Sequence, residues 1–258
     1  MKHLGNQPGV FCLNHGWKFI NEDISVLPPT KEHIDVYSFA KGGAAKGPAA
    51  ASFDDSNWEE VSLPHDWVTE KPFTEEGSPN QGYKERGIGW YRIKFNLDDE
   101  DRDKQILLEF EGMSCDAEIY CNGMLLKRNF SGYKSFSVDM TDMAHFGITP
   151  NIIAIRIDAS AWEGWWYEGA GIYRNVCLVK KAPIHIAYNG SYIKPIKQDD
   201  GNWQLEIETK VENSFEFKQE FSIMTEIYDK EGNVVAKGSE EGLVAGYSDR
   251  KLLQTFHI

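Results

Sequence analysis

Long apolar runs are missing from this 258-residue chain, and with them any helical segment able to cross a bilayer. Positive charge is scarce: 27 Lys and Arg stand against 40 Asp and Glu, a net charge of -13, with no basic stripe to offset it. Binding to nucleic acid backbones or anionic membranes depends on clustered Lys and Arg, so neither is an expected partner. A neutral ligand fits better. Cysteine is limited to Cys12, Cys115, Cys121 and Cys177 without CxxC spacing, which argues against a disulfide framework or a zinc site. Cys115 and Cys121 are expected on one face of a strand, as small core residues.

Cofactor and metal signatures are equally thin. The seven histidines do not cluster and no HExxH occurs. Gly87-Ile88-Gly89 and Gly169-Ala170-Gly171 lack the third glycine of a dinucleotide fingerprint, and Gly42 to Gly47 is not followed by Gly-Lys-Ser/Thr. The acidic run Asp98 to Asp103 lacks the glycine of a calcium loop and reads as a solvated turn. The expectation is no cofactor and no metal. Met1 to Asn14 has no apolar export core, so a signal is absent or removed and the compartment stays open between bacterial cytoplasm and periplasm.

What the chain has is alternation. Tyr91, Ile93, Phe95 and Leu97 fall on one face, Arg92, Lys94 and Asn96 on the other. The same period recurs in Ile106, Leu108 and Phe110, in Ala117, Ile119 and Cys121, and in Ile153, Ile155 and Ile157. Period two with one apolar side predicts strands with one buried face. Asn122-Gly123 between two such runs is a hairpin signal. Only Asp139 to Phe146 looks helical, as a short turn capped by Asp139 or Thr141. Lys31 to Ser52, poor in large apolar residues, reads as a long surface loop. Short strands at regular spacing predict an all-β chain built as a sandwich or jelly roll.

A boundary is expected near Lys180-Lys181-Ala182-Pro183, dividing residues 1–181 from residues 182–258. The second part alternates through Trp203 to Val211 and Phe221 to Ile227, turns at Asp229 to Asn233, and has immunoglobulin-like character. It stops at Ile258, short of the roughly 100 residues of a full sandwich of this kind, and is expected to lack its last strands. An unpaired edge there would favour pairing with another chain, which makes a homo-oligomer an expected option.

The densest chemistry lies in Trp162-Glu163-Gly164-Trp165-Trp166-Tyr167-Glu168-Gly169-Ala170-Gly171-Ile172-Tyr173-Arg174. Flat rings stack on pyranose faces, carboxylates accept bonds from hydroxyls, and glycines let the loop turn. An aromatic plug filling a strand corner is the competing reading. Glycoside cleavage needs two carboxylates at a fixed spacing, and Glu163 with Glu168 on one glycine-flanked loop is a poor way to fix it. His65-Asp66 in Pro64-His65-Asp66-Trp67 are neighbours in an extended segment. Their side chains point to opposite faces, so they are not expected to form a catalytic dyad. No catalytic residue is assigned.

In order, Phe53-Asp54-Asp55-Ser56-Asn57-Trp58, Leu63-Pro64-His65-Asp66-Trp67, Gly87-Ile88-Gly89-Trp90-Tyr91-Arg92, Gly132-Tyr133-Lys134-Ser135-Phe136 and Gly169-Ala170-Gly171-Ile172-Tyr173-Arg174 resemble the N-terminal part of glycoside hydrolase family 2, which holds β-galactosidases and β-glucuronidases. The resemblance implies a jelly-roll, galactose-binding-like β-sandwich followed by a partial immunoglobulin-like β-sandwich. It also implies that the catalytic glutamates lie on a following (β/α)₈ barrel of the same protein. The chain is then the non-catalytic front of a retaining, β-galactosidase-like enzyme. Its contacts to a β-galactoside-like carbohydrate would come from Arg86 and from Trp165, Trp166, Tyr167 and Glu168, with Arg174 anchoring the loop by a buried ion pair or carbonyl bonds. Where some galactosidases carry a sodium-binding aspartate in this loop, Trp165 and Trp166 stand nearby instead. The alternatives are a stand-alone carbohydrate-binding module and a purely structural assembly domain.

Overall fold

The computed structural model describes residues 2–3, 8–26, 42, 45–161 and 164–258. Trp162 and Glu163, and most of the expected loop from Lys31 to Ser52, lie outside them. The chain forms two compact units, Met1–Lys180 and Lys181–Ile258.

The described strands of the first unit run in order as β1 (Lys2–His3), β2 (Gly9–Cys12), β3 (Trp17–Ile20), β4 (Glu59–Val61), β5 (His65–Asp66), β6 (Ile88–Asn96) and β7 (Gln105–Phe110). They continue as β8 (Ala117–Cys121), β9 (Met124–Asn129), β10 (Phe136–Asp139), β11 (Asn151–Asp158), β12 (Gly171–Ile172) and β13 (Val176–Lys181). One sheet has the order β4-β3-β6-β11-β8-β9, with β1 parallel to β6; the facing sheet is β10-β7-β13-β2. Their inner faces share one core, in which Ile93, Phe95, Ile119 and Ile153 from the first sheet meet Leu108, Phe110, Val138 and Leu178 from the second. The expected sandwich is present.

The period of β6 is as expected, but its second face is not solvated. Trp90, Tyr120 and Ala154 pack there with Val26, Trp58, Ala45 and Ala49 in a second apolar cluster. Arg92 crosses this layer fully buried. Its guanidinium donates to Asp55 Oδ2 at 2.8 Å and to the carbonyls of Pro48 and Ala50, while Lys94 donates to Asp55 Oδ1 at 2.8 Å. The end of the expected surface loop is therefore a 3₁₀ turn, Gly47–Ala49, with Pro48 and Ala49 buried. The expected helix at Asp139 to Phe146 shrinks to a 3₁₀ turn at Thr141–Met143, held by Asp139 Oδ1 through Thr141 N and Oγ1. Similar turns occur at Pro79–Gln81 and Asp99–Asp101.

Other details follow local chemistry. Asn122 and Gly123 both adopt positive φ (51° and 89°) and join β8 to β9 as the hairpin signal predicts. The acidic run departs from expectation. Asp101 is fully buried, bonded by Lys180 and by Lys104 at 3.0 Å, because a carboxylate at that depth needs cationic partners. Cys115 lies in the turn before β8, so it does not share a strand with buried Cys121.

The second unit contains β14 (Ile184–Lys197), β15 (Trp203–Asn213), β16 (Gln219–Tyr228), β17 (Val234–Val244) and β18 (Ser248–His257). Its sheets are β14-β15-β18 and the hairpin β16-β17. They face each other through Thr225 Oγ1, which donates to Gln254 Oε1 at 2.6 Å, and through Gly238, where a Cβ would come within 2.8 Å of the Phe256 ring.

Candidate functional site

A two-residue ladder builds the site. In it β5 pairs with β12, setting Asp66 opposite Gly171 and His65 opposite Ile172. The approach is close enough to demand glycine. Gly171 has φ +111°, and a Cβ there would sit 2.4 Å from the His65 carbonyl and 2.6 Å from the Tyr91 hydroxyl. The ladder thus joins Leu-Pro-His-Asp-Trp to Gly-Ala-Gly-Ile-Tyr-Arg across about a hundred residues.

Asp66 then holds the aromatic loop from within. Its Oδ1 accepts from Val68 N at 3.0 Å and Ala170 N at 2.9 Å, and its Oδ2 accepts from the Tyr167 hydroxyl at 2.8 Å. Burial, reinforced by that hydrogen bond, raises the Tyr167 hydroxyl well above its ordinary range, so it stays a donor. Asp66 does not orient His65. The His65 Nδ1 lies 2.6 Å from the Tyr91 hydroxyl, and burial lowers the imidazole pKa. The two neighbours are thus engaged by different partners, His65 by Tyr91 and Asp66 by the loop.

Two further side chains complete the support. Buried Gln81, on the 3₁₀ turn Pro79–Gln81, donates from Nε2 to the carbonyls of Trp166 (2.7 Å) and Gly164 (3.3 Å), and its Oε1 accepts from Glu168 N at 3.1 Å. Arg86 donates to Glu168 Oε2 at 2.9 Å and to Ala161 O at 2.6 Å, and Glu168 Oε1 accepts from Gly164 N at 2.9 Å. The side chains of Arg86 and Glu168 are only 4% and 8% exposed. Of the five expected contact residues, these two are paired beneath the loop, whereas Trp165, Trp166 and Tyr167 stand 84%, 57% and 43% exposed. The plug reading does not hold for the three exposed rings.

Trp166 Nε1 donates to the Tyr133 hydroxyl at 2.9 Å, and the Tyr173 hydroxyl donates to Gly132 O. Between these rings opens a cavity of about 390 Å³, lined by Asp66, Ser114, Tyr133, Trp166, Tyr167, Tyr173 and Arg174 among others. Its size and its mix of rings with a few polar groups suit a small, hydroxyl-rich ligand. Arg174 departs from expectation. It is exposed, with its guanidinium 5.8 Å from the Tyr173 ring centroid and no ion pair among the described residues. A residue at a cavity wall has water to solvate its charge and does not need the buried partners that Arg86 finds.

Sequence reasoning missed Gln81 and Tyr133, and gave Asp66 no role. Gln81 carried no signal, because an isolated polar residue in a loop looks the same whether it faces water or backbone. Asp66 had a local one: an aspartate at the end of an extended pair is well placed to accept the backbone N–H two residues on, as it does from Val68.

Residues 55–182 match the sugar binding domain of the glycosyl hydrolases family 2. The chain is 34% identical over 197 residues to the beta-galactosidase BoGH2A of Bacteroides ovatus, covering 75% of this chain and 23% of that protein. It is 30% identical over 234 residues to a beta-glucuronidase of Formosa agariphila, covering 80% and 23%. In three dimensions it resembles a family 2 glycosyl hydrolase of Bacteroides cellulosilyticus with a TM-score of 0.80 and 24% identity, over 96% of this chain and 31% of that one. A beta-glucuronidase of Bacteroides uniformis gives a TM-score of 0.81 at 23% identity, over 98% and 28%. The chain spans about a quarter of the length of these two curated relatives, carbohydrate-processing enzymes in which this domain is part of a larger protein. The chain belongs to glycoside hydrolase family 2, as its N-terminal sugar binding region.

Proposed function

We propose that residues 1–181 form one wall of the sugar site in a retaining, β-galactosidase-like glycosidase, that residues 182–258 form the linking immunoglobulin-like domain, and that the catalytic carboxylates lie on a barrel of the same protein. The observation that carries this is the division of labour in the aromatic loop. Arg86, Asp66, Gln81 and Glu168 hold its backbone from below, while Trp165, Trp166 and Tyr167 present rings above. Ligand contact falls to the rings, and Arg86 and Glu168 act by positioning them. Glu168, already engaged by Arg86 and Gly164, offers no mobile acid. The test is a titration of the chain with methyl β-galactoside, read by tryptophan fluorescence, beside a nitrophenyl-galactoside assay. Weak saturable binding with no turnover is expected; turnover by this chain would overturn the reading.

The exposure of Trp165 and Trp166 also favours a second reading, a carbohydrate-binding module that works without a barrel. Binding of a galacto-oligosaccharide by the chain more than about a hundredfold tighter than the monosaccharide would select it, since separate stacking sites then add.

A further inference from the structure

We propose that Cys12 and Cys177 are a redox-active pair, closing as an intramolecular disulfide under oxidising conditions and fastening strand β2 to β13. The two cysteines are 165 positions apart in sequence, yet the β13–β2 register sets them directly opposite each other. Leu13 N donates to Val176 O at 2.8 Å, so the hydrogen-bonded positions fall on the neighbouring pair. Cys12–Cys177 is then a non-hydrogen-bonded pair, the kind with the closer side chains. Pairs of that kind hold their Cα atoms about 4.5 Å apart, inside the range a disulfide spans without backbone movement. Both side chains leave the face opposite Phe11 and Leu178, which pack on the core. Both are thiols; Cys12 is exposed and Cys177 half-buried.

A low-molecular-weight disulfide is a sufficient oxidant. The Cys12 thiolate attacks one of its sulfurs, forming a mixed disulfide and expelling one small thiolate. The Cys177 thiolate then attacks the Cys12 sulfur, forms the protein disulfide and expels the second. Two protein thiols are oxidised by two electrons, and their two protons end on two small-molecule thiols. Burial, then the neighbouring Cys12 and the carboxylates of Glu111 and Glu109, hold the Cys177 thiol above its ordinary range. Exposed Cys12 therefore takes the first step and Cys177 resolves it.

The geometry gives the bond a consequence. Among the described residues, strand β2 is the outer strand of its sheet, held along one side. A disulfide there closes a loop through nearly all of the first unit and removes many unfolded conformations. The pair would be closed in an oxidising compartment and open in a reducing one.

The experiment treats the full chain with oxidised glutathione or with dithiothreitol, alkylates the remaining thiols and maps peptides without reduction. A peptide joining Cys12 to Cys177 is expected in monomeric oxidised protein, with a melting temperature higher by roughly 10 °C than in the reduced form. C12S and C177S should each lose both the linked peptide and the oxidation-dependent shift. Glutathione left on Cys12 with no linked peptide would overturn the proposal, as would linkage only to Cys115 or only between chains. If either variant fails to fold, the peptide map of the unaltered protein decides alone.

Discussion

Arg92 Nε donates to Asp55 Oδ2 at 2.8 Å, in a layer where the arginine side chain is wholly inaccessible and the aspartate only 8% exposed. The pair ties Phe-Asp-Asp-Ser-Asn-Trp to Gly-Ile-Gly-Trp-Tyr-Arg, so the two motifs are the halves of one contact. Asp55→Ala would leave Arg92 buried without a counter-charge. A loss of about 3–5 kcal/mol in unfolding free energy is expected, read by urea denaturation. A change within 1 kcal/mol would show that the carbonyls of Pro48 and Ala50 suffice.

Acid should act on the same pair. Burial alone would push the Asp55 carboxyl up, but hydrogen bonds from Lys94 and Arg92 outweigh it and hold the carboxyl below its ordinary range. Asp101 behaves alike, with Lys180 and Lys104 prevailing over burial. A lowered folded pKa means stability that is fully present above the unfolded value of about 3.9 and is lost as pH falls through the folded value. The urea midpoint should therefore hold steady down to about pH 5 and drop below about pH 4. In Asp55→Asn the drop should be shallower.

Gly171→Ala tests the ladder between β5 and β12. The new methyl would meet the His65 carbonyl at 2.4 Å in a backbone conformation that alanine rarely adopts. A loss of about 3 kcal/mol is expected from strain and overpacking together, with reduced hydrogen-exchange protection at Ser114, whose N–H bonds to the Gly171 carbonyl.

Arg86→Ala and Trp165→Ala should separate support from contact. Removing Arg86 takes the cationic partner from the buried Glu168 carboxylate, so stability should fall by about 3–5 kcal/mol and the loop should become protease-sensitive. Removing Trp165, which is mostly in water, should change stability by no more than about 0.5 kcal/mol and weaken sugar binding roughly fivefold to tenfold. Equal effects of the two changes on stability would contradict the division.

Much of the framework was legible in sequence because it depends on local periods. Tyr91, Ile93 and Phe95 alternate into one core, and Asn122-Gly123 turns as its backbone preferences dictate. Composition singled out the loop from Trp165 to Glu168, whose three rings stand exposed. What escaped was pairing at a distance. Nothing in the chain around Arg174 distinguishes it from Arg86, yet only Arg86 finds a buried carboxylate. Asp101 reads as one acid among several until Lys180 closes over it. Arg92 reads as a solvent-side residue because alternation reports a strand's two faces and says nothing of what lies above each.

Among the described residues, the hydrogen bonds from Gln81 to the aromatic loop all go to main-chain atoms: the carbonyls of Gly164 and Trp166 and the N–H of Glu168. Such a clamp does not read which side chains the loop carries. Under the proposed role, substitution of the rings at positions 165 and 166 should leave the path of the loop in place, so the surface offered to a sugar could change without refolding the wall that displays it. A single amide serves there as a fixed mount for interchangeable parts.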